Sequence, residues 1–298
     1  MNRRNFFASA GILTGASVLS WNRLMAAPWM ADYKMKLLRK NVGVFMERGG
    51  TIAWRIAEDG LVVVDTQFPD QSKHLIEEIR KQSDRKIDLL INTHHHGDHS
   101  SGNIAFKDMV GKVVAHENSK ANQERVAVER GREAGQLYPD TTFTESWSES
   151  VGTENMRLHY LGAGHTNGDS LVHFEDANIV HMGDLLFNRR YPYIDRSSGA
   201  DIKNWISLLR KAQGMFDQDT IFVFGHAFDP EKITGTKDDL AAKATFLEQL
   251  LDFVGKEIKA GKSKEEIEAA TEIPGNTEWQ GRGIKRGLTA AYEELIEG

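Results

Sequence analysis

Four of the 11 histidines of this 298-residue chain lie between residues 94 and 99. They follow segment 87–91, which is almost wholly apolar and has the length of a buried strand. The same arrangement, an apolar segment ending in a loop with His or Asp, recurs at His165, Asp184 and His226. Loops at strand ends are where functional sites are built. The sequence therefore predicts an α/β fold in which several strand ends meet at one site.

The spacing within the histidine cluster indicates two metal ions. His94 and His96 are two residues apart, so in an extended segment their side chains point the same way. Asp98 and His99 follow Gly97, whose backbone freedom lets the loop curl back towards a second ion. One tetrahedral zinc accepts about three protein ligands plus water. Four or more candidate ligands therefore favour a pair of ions.

Seven residues carry a resemblance to the metallo-β-lactamase superfamily. They are, in chain order, His94, His96, Asp98, His99, His165, Asp184 and His226. The resemblance covers roughly residues 35–230 and implies a four-layer αβ/βα sandwich, with the metals at one edge between the sheets. Beyond Pro230 the pattern becomes helical, and this predicts a C-terminal helical extension.

The resemblance also implies how two Zn²⁺ ions would be held, with iron or manganese as alternatives. The first ion would be bound by His94, His96 and His165. The second would be bound by Asp98, His99 and His226. Asp184 would bridge the two ions, and Asp98 would be the catalytic residue that orients the attacking water and later passes on a proton.

The expected function is hydrolysis of a small acyl compound, such as a lactone, thioester, ester or β-lactam, by water activated on the metals. An aspartate at position 184 resembles the glyoxalase II, lactonase and phosphodiesterase branches of the superfamily. Well-known β-lactamases have Cys or Ser there, which counts against a dedicated β-lactamase. The alternatives are a mononuclear iron persulfide dioxygenase, a phosphodiesterase and a non-catalytic zinc-binding protein.

Composition narrows the choice further. The chain has no cysteine, so any metal site must use histidine and carboxylate ligands. Its net charge of -6 argues against an extended nucleic-acid surface. The expected partner is a small-molecule substrate, and the sequence leaves the oligomeric state open.

The first 27 residues are typical of a secretory signal. Arg3 and Arg4 precede an apolar run over residues 6–19, and Ala26 and Ala27 offer a cleavage site. The paired arginines resemble a twin-arginine signal. We therefore expect a bacterial periplasmic or secreted protein, without stable membrane insertion once the signal is removed.

Residues 28–235 are expected to form the metallo-β-lactamase-fold domain, and residues 236–298 the helical extension, whose last helix is expected over 277–296. Residues 135–150 are polar and have no clear periodicity, which predicts irregular structure. Segment 187–193 follows Asp184, and Asn188 and Tyr191 within it are candidate substrate-binding residues.

Overall fold

The computed structural model describes residues 33–297. The signal predicted for residues 1–27 lies outside the described residues. Within residues 33–297, no helix combines the length and apolar character needed to cross a membrane.

Two β-sheets form the centre of the fold. The first contains seven strands in spatial order, namely β1 (Lys34–Arg39), β2 (Val42–Met46), β3 (Ile52–Ala57), β4 (Gly60–Val64), β5 (Ile87–Ile91), β6 (Val110–His116) and β7 (Thr141–Phe143). The second contains β8 (Ser146–Val151), β9 (Glu154–His159), β10 (Leu171–Phe174), β11 (Ile179–His181), β13 (Ile221–Val223) and β15 (Thr234–Gly235). A separate parallel pair joins β12 (Phe187–Asn188) to β14 (His226–Ala227).

Seven α-helices accompany the sheets in the described part of the chain. They are α1 (Pro69–Arg80), α2 (Gly97–Ser100), α3 (Glu117–Glu129), α4 (Ile202–Met215), α5 (Lys237–Lys259), α6 (Lys264–Glu268) and α7 (Ile284–Glu297). Short 3₁₀ helices lie at Ser101–Phe106, Glu133–Gly135, Gly183–Leu185 and Arg196–Ser198.

Strand β4 shows why the layers form. Its side chains alternate between the faces of the sheet, as in any strand. Val62 and Val64 join the core between the two sheets, while Leu61 and Val63 pack outward towards Leu75 of α1. A strand that is apolar throughout must be covered on both faces, and the structure confirms this expectation.

The outer face of the second sheet is covered by the C-terminal helices. The α4 side chains Trp205, Leu208 and Leu209 are buried in one core with residues of α5 and α7, including Leu247 and Leu288. The order of layers is therefore helix, sheet, sheet, helix, which confirms the predicted four-layer αβ/βα sandwich and its C-terminal helices.

Parallel pairing brings the candidate ligands to one edge of the sandwich. Strand β4 runs parallel to β5, and β11 runs parallel to β13, so within each sheet these carboxyl ends lie side by side. The loops after these four strands carry Asp65, the histidine cluster at 94–99, Asp184 and His226. The edge is thus a place where distant parts of the chain meet.

Two expectations about individual elements were wrong, and one strand was missed. Segment 135–150 contains β7 and the start of β8 instead of being irregular, because Thr141–Phe143 pairs with β6 and Ser146–Val151 pairs with β9. Strand β1 was not expected. The last helix begins at Ile284 and not at residue 277, since Gly281 and Gly283 have positive φ angles of 94° and 132°, outside the helical region.

Candidate metal centre

Three imidazole nitrogens converge just beyond the end of β5. Nδ1 of His96 lies 3.1 Å from Nε2 of His94 and 2.9 Å from Nε2 of His165. Oδ2 of Asp184 lies 3.4 Å from Nε2 of His165 and 3.8 Å from Nε2 of His94. One ligand atom from each of the four residues falls within 4.8 Å of the others. The four residues can therefore hold one metal ion.

A second group lies beside the first. Nε2 of His226 is 3.2 Å from Oδ2 of Asp98 and 3.4 Å from Nε2 of His99. Oδ1 of Asp184 lies 3.1 Å from Nε2 of His99 and 3.5 Å from Nε2 of His226. One ligand atom each from Asp98, His99 and His226 lies within 4.8 Å of the other two, so these residues can hold a second ion. Asp184 thus presents one carboxylate oxygen to each group.

The far-side nitrogens of the first group are engaged by hydrogen bonds. Nδ1 of His165 donates to the backbone oxygen of Tyr193 at 2.7 Å, which leaves the Nε2 lone pair facing the site. Nε2 of His96 lies 2.9 Å from Oδ2 of Asp195, so Nδ1 of His96 is the nitrogen left for a metal. Such outer partners fix the tautomer and orientation of metal-binding histidines.

Asp65 orients one histidine from each group. It accepts hydrogen bonds from the backbone nitrogen and the hydroxyl of Thr93, at 2.8 and 2.7 Å, and from Nδ1 of His99 at 2.7 Å. Because the Thr93 hydroxyl proton is given to Asp65, its oxygen accepts from Nδ1 of His94 at 3.0 Å. Both imidazoles are therefore held with Nε2 facing the site.

The chemistry of these groups fits a metal ion. Oδ1 of Asp184 is fully buried and has no hydrogen-bond donor among the described residues. Burial lowers the pKa of His165 to about 3 and holds the pKa of His94 well below its usual range, so both rings are neutral with lone pairs facing one another. Converging lone pairs and an unpaired carboxylate oxygen need a cation between them. Imidazole and carboxylate donors suit zinc, and also iron or manganese.

Two glycines allow the backbone to approach the ligands closely. A Cβ atom at Gly225 would lie 2.1 Å from Oδ1 of Asp184, and a Cβ atom at Gly50 would lie 2.1 Å from Cε1 of His99. Both distances are far below van der Waals contact. Any larger residue at either position would displace a candidate ligand.

Comparison with known proteins agrees with this geometry. The sequence profile of the metallo-beta-lactamase superfamily matches residues 48–226, more than half of the chain. The chain belongs to the metallo-β-lactamase superfamily. The members of this superfamily are generally hydrolases, and the matched range contains all seven candidate ligands.

Curated relatives in the superfamily share about a quarter of the aligned residues. The chain is 26% identical over 205 residues to Metallo-beta-lactamase type 2 of Bacteroides fragilis, an alignment covering 65% of this chain and 79% of the relative. It is 24% identical over 204 residues to Metallo-beta-lactamase type 2 of Elizabethkingia meningoseptica, with the same coverage of 65% and 79%.

Solved structures show the same fold. A metallo-beta-lactamase from Pontibacter korlensis superposes with a TM-score of 0.60 at 19% identity, over 72% of this chain and 99% of that one. A double mutant of the sec-alkyl sulfatase PisA1 gives a TM-score of 0.68 at 14% identity, over 89% of this chain and 50% of that one. At these identities, the similarity shows the superfamily fold alone.

Two aromatic rings, those of Phe187 and Trp205, pack against the candidate ligands. The ring of Phe187 lies 5.7 Å from that of His165 and stacks on that of His226 at 5.3 Å, between ring centroids. The ring of Trp205 lies 5.8 Å from that of His165. Through these contacts β12 and α4 limit the movement of ligands from both groups.

A buried lysine packs against the same two rings. Nζ of Lys243 is 4.7 to 5.3 Å from the centroids of four aromatic rings. These rings are Phe187, Trp205, Phe246 and Trp279. The nitrogen has no hydrogen-bond partner among the described residues. Burial therefore holds the pKa of Lys243 well below its ordinary value.

The two candidate substrate-binding residues occupy different surroundings. Asn188 is half-buried, and its amide donates to the backbone oxygen of Lys232 at 2.9 Å. Tyr191 is buried in the core formed with the C-terminal helices, and its ring lies 6.0 Å from that of Phe246. Substrate contact at these two residues stays a prediction, and the packing of Tyr191 gives it no support.

Three residues at the centre were missed by sequence reasoning. They are Tyr193, Asp195 and Lys243. Tyr193 is the last residue of segment 187–193 but was not a candidate, and Asp195 lies two residues beyond it. Their contacts with His165 and His96 depend on how the loop folds back. The charge of Lys243 on an otherwise apolar helix face was a usable signal, since the other six buried positions of α5 are all apolar.

Proposed function

We propose that this member of the metallo-β-lactamase superfamily is an exported dinuclear zinc hydrolase that cleaves a small acyl compound. The proposal rests mainly on Asp184, whose two oxygens lie against different groups of histidines. A carboxylate so placed is suited to bridging two cations. The ligands of both groups lie in the segment proposed as the catalytic domain, residues 28–235, with residues 236–298 as an extension packed on it.

Zinc, when bound, lowers the pKa of a coordinated water to about 7 and polarises the carbonyl under attack. The chain itself supplies orientation and proton handling. The Asp98 side chain is one-third exposed at the mouth of the site. Burial opposes its ionisation, but the charge of His99 and the hydrogen bond from His226 hold the pKa of Asp98 below its usual range. Asp98 is therefore a carboxylate that can accept a proton and align water.

The acyl substrates within this proposal are lactones, thioesters, esters and β-lactams. The names of the two curated relatives describe those proteins as metallo-β-lactamases, which keeps β-lactams among the compounds to test. The aspartate at position 184 favours the lactone and thioester branches. Export is proposed from residues 1–27, and the site is proposed to act on a small molecule and not on nucleic acid.

Metal analysis combined with a substrate panel tests this function. The purified protein should contain close to two zinc ions per chain, and chelation followed by zinc addition should abolish and then restore hydrolysis of one acyl class. The His96→Ala variant should lose this activity, while the control His74→Ala, on helix α1, should keep it. Full activity after chelation would exclude the proposal.

The same preparation separates the alternatives. A persulfide dioxygenase would contain iron and consume oxygen with a persulfide substrate. A phosphodiesterase would hydrolyse bis(p-nitrophenyl) phosphate at rates similar to those for acyl compounds. Because the second ligand group of Asp98, His99 and His226 is compatible with both classes, iron content and oxygen uptake decide between them.

A further inference from the structure

The arginines in residues 33–297 fall into two classes. Nine make a side-chain hydrogen bond or ion pair with a carboxylate or a backbone oxygen, as Arg210 does with Glu248 at 3.1 Å. Six make no such contact with any described residue. They are Arg48, Arg130, Arg132, Arg190, Arg282 and Arg286.

Two of these arginines line cavities that candidate metal ligands also border. Arg130 lines a cavity of about 180 Å³ that the candidate ligand His96 also borders. Arg190 lines a second cavity, of about 150 Å³, together with His226. The chain as a whole carries a charge of -6, so a group of uncompensated cations here is not a consequence of composition.

The acids of the first cavity do not neutralise Arg130. Asp195 is engaged by Nε2 of His96 at 2.9 Å, and Glu129 is paired with Arg125 at 2.8 Å. The guanidinium of Arg130 is exposed at the end of α3 and remains open to an external anion.

Tyr193 connects this cavity to a second cation. Its side chain is 40% exposed, and its ring centroid lies 5.4 Å from that of His96. Cζ of Arg286, from α7, lies 5.7 Å from the Tyr193 centroid. An apolar ring with two unpaired guanidinium groups nearby is suited to an organic anion, since the ring can pack against carbon while arginine binds the charged oxygens.

We propose that the substrate of this centre carries an anionic group, a carboxylate or a sulfate, which Arg130 and Arg286 bind beside Tyr193. This inference rests on the proposed hydrolase function and adds the substrate class. Guanidinium groups bind two oxygens of a carboxylate or a sulfate in a bidentate manner, and a cationic cleft also raises the local concentration of anions. The scissile group would then lie towards His96, on the side of the cavity that the candidate ligand borders.

A matched pair of chromogenic esters tests the proposal. The p-nitrophenyl monoester of glutaric acid carries a free carboxylate, and the corresponding glutaramic ester replaces it with a neutral amide. We expect the zinc-loaded protein to prefer the carboxylate at least tenfold in kcat/KM. The double variant R130Q/R286Q should lose most of this preference through KM, and 0.5 M NaCl should weaken it in the native protein.

Two single variants control for position and for loss of charge. Arg210→Gln removes a cation that is paired on the surface of α4 and should leave the preference unchanged. Arg190→Gln removes a cation from the other cavity and should reduce the preference less than the double variant does. Equal hydrolysis of both esters by the native protein, or loss of the preference in Arg190→Gln alone, would overturn the assignment.

Calorimetric binding of glutarate and hexyl sulfate tests the same site without turnover. Both probes are used because carboxylate and sulfate share the recognition chemistry, and the tighter of the two identifies the anion. The double variant should bind the preferred probe at least tenfold more weakly than Arg210→Gln. If no compound of the acyl panel is cleaved but this difference is seen, the hydrolase function fails and the anion site stands. If binding is equal in the two variants, the anion site fails.

Discussion

The two carboxylate oxygens of Asp184 face different histidines, with Oδ2 3.4 Å from Nε2 of His165 and Oδ1 3.1 Å from Nε2 of His99. His165 lies in the loop after β9 of the second sheet, and His99 lies after β5 of the first sheet. The Asp184 carboxylate therefore contacts candidate ligands from both halves of the sandwich.

Replacing Asp184 by Asn should lower the zinc content from about two ions per chain towards one, because an amide offers only one oxygen and no charge. Hydrolysis should fall by at least about 100-fold. Metal analysis and steady-state kinetics would measure both effects. Asp84→Asn, an exposed residue after α1, is the matched control. Full zinc content in Asp184→Asn would contradict a bridging role.

Asp65 should matter for metal binding although it is not a candidate ligand. In Asp65→Asn, an amide would replace an acceptor of hydrogen bonds from Thr93 and His99. We expect zinc affinity to fall by about 10- to 100-fold, as for other outer partners of metal-binding histidines. Competition against a chromophoric chelator would measure this. An unchanged affinity would mean that the two imidazoles are held without Asp65.

Lys243→Met should stabilise the protein at neutral pH. The ammonium form is buried without a hydrogen-bond partner, and methionine fills similar volume without that desolvation cost. In the folded protein the pKa of Lys243 is held well below the ordinary value of 10.5. At a pH between these two pKa values the unfolded state binds one more proton than the folded state, so the free energy of unfolding rises with pH. This slope is at most about 1.4 kcal/mol per pH unit, and the variant should lack it.

Urea denaturation at pH 7 and pH 9 measures the effect. The exposed Lys256→Met, on the same helix, is the control and should change neither the stability nor its pH dependence. A less stable Lys243→Met would instead mean that the cation–π contacts with the four rings outweigh the desolvation cost.

His173 should contribute to loss of stability in acid. Burial lowers the pKa of His173 to about 4, and its Nε2 has no hydrogen-bond partner among the described residues. Between pH 6.5 and about 4 the unfolded state binds the proton and the folded state does not, so stability is lost as the pH falls, by up to about 1.4 kcal/mol per pH unit. His173→Leu should reduce this slope in denaturation curves recorded from pH 7 to pH 4.5. An identical slope would assign the acid sensitivity to other groups.

Much of the fold was predictable because its signals are local. Strands such as β4 and β5 are short apolar runs, and a buried strand followed by His or Asp needs little context to interpret. The seven candidate ligands were found in this way, and the structure brings them into two neighbouring groups around Asp184.

The missed features depend on tertiary contacts. Strand β8 reads SWSESV, with polar residues on its exposed face, and it is a strand because it pairs with β9 along its whole length. Asp195 orients His96 from almost one hundred residues away along the chain. No short-range pattern carries either relationship, since each is set by how the loops pack.

One contact far from the histidines has a consequence for the order of assembly. Glu294 in α7 accepts hydrogen bonds from the first backbone nitrogens of α4, at 2.8 and 2.9 Å, and Asn204 of α4 in turn donates to Ala163 in the loop that carries His165. The carboxylate that completes α4 is therefore synthesised after every candidate ligand. During synthesis all candidate ligands therefore exist before Glu294 can bind the N-terminus of α4 and so stabilise the loop of His165. We expect full zinc affinity only once α7 has packed against α4.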